Sequence, residues 1–263
     1  MITKNYIAKG EGADRFEKVP VQIYEKPAAA VKAVADEIAN LIRSKAAKGE
    51  KCVLGLATGS SPIKLYQELV RMHKEEGLSF KNVISFNLDE YMPMPKDSEH
   101  SYHYFMHHHL FDHIDIDPKN VHIPDGTLKN EEVDKFCREY EEQIEAAGGV
   151  DIQILGIGRT GHIGFNEPAE EFSKTTHCVD LSESTIEANA RFFDSEDQVP
   201  RQAYTMGIQS IMQAKMILIM ACGADKKEIV KKAFWGPICP QVPASVLQLH
   251  NNVILVGDEA CLG

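Results

Sequence analysis

Apolar residues recur at helical spacing in two early parts of the chain. After Pro27, which suits the first turn of a helix, the pattern continues to Gly49, where a Lys-Gly pair interrupts it. Its apolar positions are Ala29, Val31, Val34, Ile38 and Ile42. The same spacing runs through residues 62–76 and ends at Gly77, a residue typical of helix C-termini. Both segments are predicted to be helices.

Short apolar runs alternate with these helical patterns. Residues 52–57 are apolar without polar alternation, as in a strand that helices cover on both faces. Further strands are predicted at residues 83–88, 150–157, 215–222 and 252–257, and further helices at residues 101–113, 131–147 and 226–235. This alternation predicts an α/β fold: a single-domain, doubly wound, mostly parallel sheet with helices on both faces, as in Rossmann-like proteins.

Length and composition restrict the class of protein. The 263 residues are 43% hydrophobic and 25% charged, which suits one globular core. Residues 1–20 are predicted to be an N-terminal extension, because the first 18 are polar and aperiodic, and residues 21–263 to be one domain. No apolar run reaches the about 20 residues of a membrane helix, and no signal peptide is recognisable. A cytoplasmic protein without a membrane partner is expected.

Charge and cysteine usage exclude several partners. Lys and Arg number 28 against 39 Asp and Glu, and the net charge of −11 disfavours nucleic-acid binding. The six cysteines form no CxxC pair, so neither a zinc site nor a disulfide framework is predicted. An anionic substrate would need locally placed basic groups.

The first chemically notable loop follows the strand at residues 52–57. It contains Thr58, Gly59, Ser60 and Ser61 and leads directly into the next predicted helix. Backbone N–H groups and the dipole at a helix N-terminus attract phosphate, and a glycine lets the backbone approach it. The alternative is that Ser60 or Ser61 only caps the helix.

Two adjacent acids, Asp89 and Glu90, end the apolar strand at residues 83–88 and are predicted to lie in a loop. A carboxyl group in a partly desolvated cleft has a raised pKa and can move a proton between neighbouring carbons. The alternative is that either acid caps the next segment or faces solvent.

The third loop, GIGRTGHIGFNEP, follows the strand at residues 150–157. Its glycines miss the GxGxxG spacing, which argues against dinucleotide binding. His162 lies between glycines with Glu167 five positions later, and a histidine titrates near neutral pH. We interpret His162 as an acid-base group.

Two cations are candidates for an anionic substrate, and one helix is rich in histidine. Arg191 follows Asn-Ala, and Lys226 is predicted to open a helix, where a lysine opposes the helix dipole and so favours ligand binding. The histidines are His103, His107, His108, His109 and His113. Without an HExxH pattern or a third ligand, a polar helix face is preferred to a metal site.

Together these segments resemble the glucosamine-6-phosphate deaminase family, through LGLATGSSP, SFKNVISFNLDEY, SYHYFMHHHLFDHIDI, GHIGFNEP, ARFFD and LQLH, in that family's order. The resemblance covers residues 21–259. It implies the Rossmann-like fold shared with ribose-phosphate isomerases and conversion of glucosamine 6-phosphate to fructose 6-phosphate and ammonia without a cofactor. An amino-sugar phosphate is the partner it implies.

By this resemblance, a substrate-binding group holds the amino-sugar phosphate, and its members are Thr58, Gly59, Ser60, Ser61, Glu90, Arg191 and Lys226. His162, assisted by Glu167, opens the sugar ring, and Asp89 transfers a proton between C2 and C1. The family usually has aspartate two positions before the histidine, where this chain has Thr160. A hydroxyl can hydrogen-bond to the imidazole but does not stabilise its cation as a carboxylate does.

Three readings therefore stay open. The preferred one is the deaminase; the alternatives are a 6-phosphogluconolactonase-like hydrolase and a weakly active or non-catalytic sugar-phosphate-binding relative. The family's C-terminal segment is expected to be missing, so a C-terminal fusion domain outside this chain is compatible with the sequence, as is a homo-oligomer.

Overall fold

The computed structural model describes residues 19–263. The predicted N-terminal extension therefore lies outside the described residues except for its last two positions. The strands within this range are β1 (Val21–Tyr24), β2 (Cys52–Leu56), β3 (Val83–Asn87), β4 (Asp89–Met92), β5 (Val121–His122), β6 (Ile152–Gly156), β7 (His177–Asp180), β8 (Gln202–Thr205), β9 (Ile217–Ala221) and β10 (Val253–Asp258). The α-helices in this range are α1 (Pro27–Ala47), α2 (Ile63–Glu76), α3 (Tyr102–His109), α4 (Asn130–Ala146), α5 (Glu183–Asn189), α6 (Ile208–Met212), α7 (Lys227–Trp235) and α8 (Glu259–Leu262).

The larger sheet has the strand order β1-β10-β9-β6-β2-β3-β5, and all its neighbouring strands are parallel. Successive side chains of a strand point to opposite faces. Val53 of β2 belongs to a core that includes Tyr140 of α4 and Val230 of α7. Leu54 belongs to a second core that includes Leu69 of α2. Helices thus cover both faces, and the predicted doubly wound α/β fold is confirmed.

The order in which the chain adds strands to the large sheet reverses at β2. From β2 the chain proceeds through α2 to β3 on one side, whereas β6, reached after α4, pairs with β2 on the other side. Ligands of open parallel sheets bind beyond the carboxyl ends of the strands at such a switch point. The loops that follow β2 and β6 face each other across this crevice.

A second, antiparallel sheet with the order β4-β8-β7 stands at the same end of the molecule. Leu88 alone separates β3 from β4, and Asp89 pairs with Thr205 of β8. The prediction of a loop at Asp89 and Glu90 was therefore wrong, because these residues form a strand of the second sheet. Four-residue strands with mixed polarity have little sequence signal.

The predicted strands and helices of the large sheet are confirmed, with ends that differ by up to two residues for most of them. The predicted helix at residues 101–113 is shorter, because α3 ends at His109 and a separate 3-10 turn follows at Phe111–His113. β1, β5, the second sheet and α5, α6 and α8 were not predicted. No helix among the described residues is long and apolar enough to cross a membrane.

A buried carboxylate joins β2 and β6 at their amino ends, the opposite end of these strands from the crevice. Asp151 is 4% exposed, accepts the N–H of Val53 at 2.8 Å, and forms ion pairs with Lys45 and Lys215 at 2.7 and 2.8 Å. Burial alone would raise the pKa of Asp151, but the two lysines and the Val53 N–H hold it below its usual value. Asp151 therefore stabilises the fold above its unfolded pKa, near 4, and this contribution is lost as pH falls through the lower folded value.

Replacing this carboxylate should destabilise the protein. Asp151→Asn is expected to lower the free energy of unfolding at pH 7 by about 2–4 kcal/mol, because it leaves two lysines without their partner. Asp36→Asn is the control, since Asp36 forms an exposed ion pair with Lys32, and a change of about 0.5 kcal/mol or less is expected. Urea unfolding measures both. Equal effects of the two variants would contradict the role given to Asp151.

Candidate active site

The loop after β2 leads directly into the N-terminus of α2. Gly59 has a φ of +87°, a conformation that favours glycine, and Ser60 and Ser61 are exposed. Pro62 occupies the N-cap position of α2, and its side chain makes no capping hydrogen bond. The alternative, that Ser60 or Ser61 caps the helix, is therefore not what the structure contains. The first turn of α2 can bind an anion.

The three predicted loops converge at the crevice. A methyl group placed on Gly156 would lie 3.7 Å from the Ser61 hydroxyl, so the loops after β2 and β6 are in contact. The Thr58 hydroxyl donates to Asp89 at 3.4 Å. A methyl group on Gly164 would lie 3.7 Å from the other oxygen of Asp89. Asp89 thus lies between the first and third loops.

Asp89 is buried, at 6% exposure, at the start of β4. Burial raises the pKa of Asp89 to about 8; the negative charge of Glu90 adds to the shift, and the hydrogen bond from Thr58 opposes it. The carboxyl group can therefore change protonation state near neutral pH, which is a requirement for moving a proton between two carbons.

Glu90 points the other way, into the start of α3. Its carboxylate accepts the N–H groups of Tyr91, Tyr102 and His103, each at 2.9 Å, and the residue is 1% exposed. Burial raises the pKa of Glu90 to about 7 despite these bonds. Both carboxylate oxygens are engaged by backbone N–H groups, so Glu90 holds α3 against β4, and its role in substrate binding stays a prediction.

His162, Thr160 and Glu167 are brought together in the loop after β6. The Thr160 hydroxyl lies 2.9 Å from Nδ1 of His162 and donates to Glu167 Oε2 at 3.3 Å, and His162 Nδ1 lies 3.5 Å from the same Oε2. Burial alone would raise the pKa of Glu167, but hydrogen bonds from His162, Thr185 and Thr160 hold it below its usual value. Glu167 is therefore the ionised partner of the imidazole.

Thr185 of α5 was not predicted from the sequence. It is 5% exposed, and its hydroxyl donates to Glu167 Oε1. Nothing in the local pattern distinguishes this threonine from others in the chain, since it is 18 positions from Glu167. Only the folded arrangement identifies it.

Two of the basic candidates approach the carboxyl end of β6. Lys226 ends the 3-10 helix Ala224–Lys226 and is the N-cap residue of α7, as predicted, and its Nζ donates to the carbonyl of Ile157 at 2.9 Å. Burial lowers the pKa of Lys226; Asp225 opposes this, whereas the positive charges of Arg159 and Arg191 add to it. Arg191 is exposed in the 3-10 helix Ala190–Phe192, with its guanidinium 4.7 Å from the Phe192 ring centroid. Arg159 is a third cation in this region that was not predicted.

The histidines of α3 interact with one another and with nearby groups. His103 and His107 stack with ring centroids 4.6 Å apart, and His107 Nδ1 lies 2.8 Å from Asp112. In residues 19–263, no group of three or more His, Cys, Asp or Glu side chains is placed to hold a metal ion.

Comparison with known proteins gives a consistent family. The model of the family described as glucosamine-6-phosphate isomerases/6-phosphogluconolactonase matches residues 25–256. A glucosamine-6-phosphate deaminase of Oceanobacillus iheyensis is 54% identical over 212 residues, which are 81% of this chain and 84% of that protein. A glucosamine-6-phosphate deaminase of Clostridium perfringens is 50% identical over 87% of this chain and 92% of its own length.

Solved structures agree with the fold. A monomeric glucosamine-6-phosphate deaminase is 42% identical and superposes with a TM-score of 0.87. The match covers 92% of this chain and 98% of that protein. A 6-phosphogluconolactonase from Thermotoga maritima has a TM-score of 0.70 at 20% identity, covering 91% of this chain and 99% of its own. At that identity the likeness extends to the fold alone.

Replacing Asp89 and replacing Glu90 should change the free energy of unfolding in opposite directions. The unfolded chain loses the Asp89 proton near pH 4, whereas the folded protein keeps it up to about pH 8, so Asp89 lowers stability progressively between these values. Asp89→Asn should therefore raise the free energy of unfolding at pH 8 by roughly 1–3 kcal/mol, with a smaller gain at pH 5. Urea unfolding at the two pH values measures it.

Glu90→Met is the comparison variant, similar in length but without an acceptor. It should lower stability at pH 5 by roughly 1–3 kcal/mol, because the N–H groups of Tyr91, Tyr102 and His103 lose their partner. If the gain in Asp89→Asn did not grow between pH 5 and pH 8, the buried environment assigned to Asp89 would be incorrect.

Proposed function

The chain belongs to the family of glucosamine-6-phosphate isomerases and 6-phosphogluconolactonases, and we propose that it is a glucosamine-6-phosphate deaminase that converts glucosamine 6-phosphate and water to fructose 6-phosphate and ammonia. Its most similar relatives described above, at 50% identity or more, carry that name. No cofactor takes part in the proposed reaction.

The observation that carries this proposal is the buried Asp89 carboxyl group beside the loop at the N-terminus of α2. An aldose-to-ketose conversion needs one group that takes a proton from C2 and returns it to C1. With its pKa raised to about 8, Asp89 is basic enough to take the C2 proton and acidic enough to return it.

We place the phosphate at the N-terminus of α2. The loop of Thr58, Gly59, Ser60 and Ser61 supplies N–H and hydroxyl donors, and the dipole of a 14-residue helix favours the dianion. Arg191 and Lys226 supply positive charge near the same end of the large sheet. These contacts fix the sugar with its C1 and C2 atoms away from the phosphate.

Ring opening is assigned to His162. Because the Thr160 hydroxyl has one proton and donates it to Glu167, it accepts from Nδ1–H of His162. That leaves Nε2 unprotonated and free to take the proton of the O1 hydroxyl and deliver it to the ring oxygen O5. The carboxylate of Glu167 stabilises the imidazolium that forms in between.

Deamination follows from the open-chain sugar, whose C2 carries an ammonium group. The Asp89 carboxylate takes the C2 proton while the C1 oxygen takes a proton from the C2 ammonium, so that a neutral enolamine with a C1 hydroxyl results. Asp89 returns its proton to C1, and the C2–nitrogen bond becomes a cationic iminium. Water adds to C2 and the nitrogen leaves as ammonium, which is ammonia with its proton, and this generates the C2 carbonyl of fructose 6-phosphate. One water is consumed for each ammonia released.

The two alternatives lack comparable support. The 6-phosphogluconolactonase structures are about 20% identical and share only the fold. A non-catalytic sugar-phosphate binder would not need a buried, titrating carboxyl group at the substrate's reacting carbons. The oligomeric state stays a prediction, and one similar solved protein is described as monomeric.

Ammonia release from glucosamine 6-phosphate tests the proposal. The wild-type protein should release ammonia and fructose 6-phosphate in equal amounts, and Asp89→Asn should lose at least about a thousandfold in kcat, because its amide cannot accept the C2 proton. A coupled enzyme assay measures fructose 6-phosphate, the second product.

Two further assays separate the alternatives. Hydrolysis of 6-phosphogluconolactone without ammonia release from the amino sugar would assign the lactonase activity instead. Ammonia release that is absent in wild type and gained in Thr160→Asp would assign a weakened relative. Release that persists in Asp89→Asn would overturn the role of Asp89.

A further inference from the structure

A chain of hydrogen bonds leads from the N-terminus of α5 to the imidazole of His162. The Ser182 hydroxyl donates to the Thr185 hydroxyl at 3.1 Å, and Thr185 donates to Glu167 Oε1. The other oxygen, Oε2, accepts from the Thr160 hydroxyl, which lies 2.9 Å from Nδ1 of His162 and, with its only proton given to Glu167, is left to accept from that nitrogen. Both oxygens of Glu167 are therefore held, one from each side.

This arrangement brings a carboxylate close to the imidazole, which the side chain at position 160 does not provide. Thr160 carries no charge, so Glu167 is the carboxylate that faces the imidazole, at 3.5 Å from Nδ1. A glutamate has three rotatable side-chain bonds, and its carboxylate stays in one orientation only if both oxygens are fixed. Thr160 fixes Oε2, and Thr185 fixes Oε1.

We propose that Thr185 is a positioning residue, which holds the Glu167 carboxylate in the orientation that keeps His162 in the Nδ1–H tautomer. It acts through Glu167 and does not touch the substrate. The inference rests on the proposed function for its effect on turnover, whereas its effect on the imidazole tautomer is independent of the reaction.

A variant of Thr185 can lose its hydrogen bond to Glu167 without displacing α5 or Arg191. Ile186, 3% exposed, anchors α5 in a core with Tyr91 and Phe165. The same helical segment continues into the 3-10 helix that carries Arg191. A valine at position 185 has the shape of threonine, so α5 and Arg191 should keep their places while the hydrogen bond to Glu167 is lost.

Thr185→Val is expected to lower kcat for ammonia release about tenfold to a hundredfold, the effect of losing one hydrogen bond to a charged group, with KM changed less than about twofold. Thr185→Ser, which keeps the hydroxyl, should restore kcat to within about threefold of wild type. ¹⁵N NMR of the histidine side chains should find one tautomer for His162 in wild type and a mixture in Thr185→Val. Thr185→Ala gives the same test if the valine variant does not fold.

Thr176→Val is the matched control. Thr176 is 4% exposed and its hydroxyl donates to Glu141 at 2.6 Å, away from His162, so this variant removes the same kind of bond without reaching the imidazole. It should leave kcat, KM and the His162 signals unchanged.

The outcomes separate this inference from the proposed function. A folded Thr185→Val protein with wild-type kcat, or with a raised KM and unchanged kcat, would overturn the positioning role. A wild-type protein that releases no ammonia would overturn the proposed function alone, and the NMR comparison would still decide the inference: a mixed tautomer in Thr185→Val supports it, and an unchanged tautomer refutes it.

Discussion

The burial of the Asp89 carboxyl group depends on how the two sheets are joined. β3 belongs to the parallel sheet and β4 to the antiparallel one, and a single residue, Leu88, connects them. The pairing of Asp89 with Thr205 holds the acid within the second sheet instead of releasing it into a solvated loop. Because desolvation is the largest cause of its raised pKa, this junction gives the group its chemistry.

The two adjacent buried acids differ in their hydrogen-bond partners. Glu90 is buried as well, but its oxygens accept three backbone N–H groups at the start of α3. Those bonds attach α3 to β4 and thereby fix the end of the junction that Asp89 occupies. Two adjacent carboxylates of similar burial thus serve different ends, and hydrogen-bond partners, not sequence position, distinguish them.

The sequence could predict the parallel sheet because its strands are buried on both faces and therefore read as continuous apolar runs. It could predict the loops at Thr58 and His162 because they follow such runs. It could not predict β4, whose register depends on β8 more than a hundred residues later. It missed Thr185, because the partner of that threonine, Glu167, lies 18 positions away on a different element.

Thr160 places an uncharged hydroxyl beside the imidazole of His162. A hydroxyl that accepts from the imidazole and donates to a carboxylate transmits the orientation of that carboxylate, although it carries no charge of its own. The imidazolium then depends for its stabilisation on Glu167 at 3.5 Å. This makes the fixing of Glu167 more important than it would be beside an aspartate, because the electrostatic energy between two charges falls with their separation.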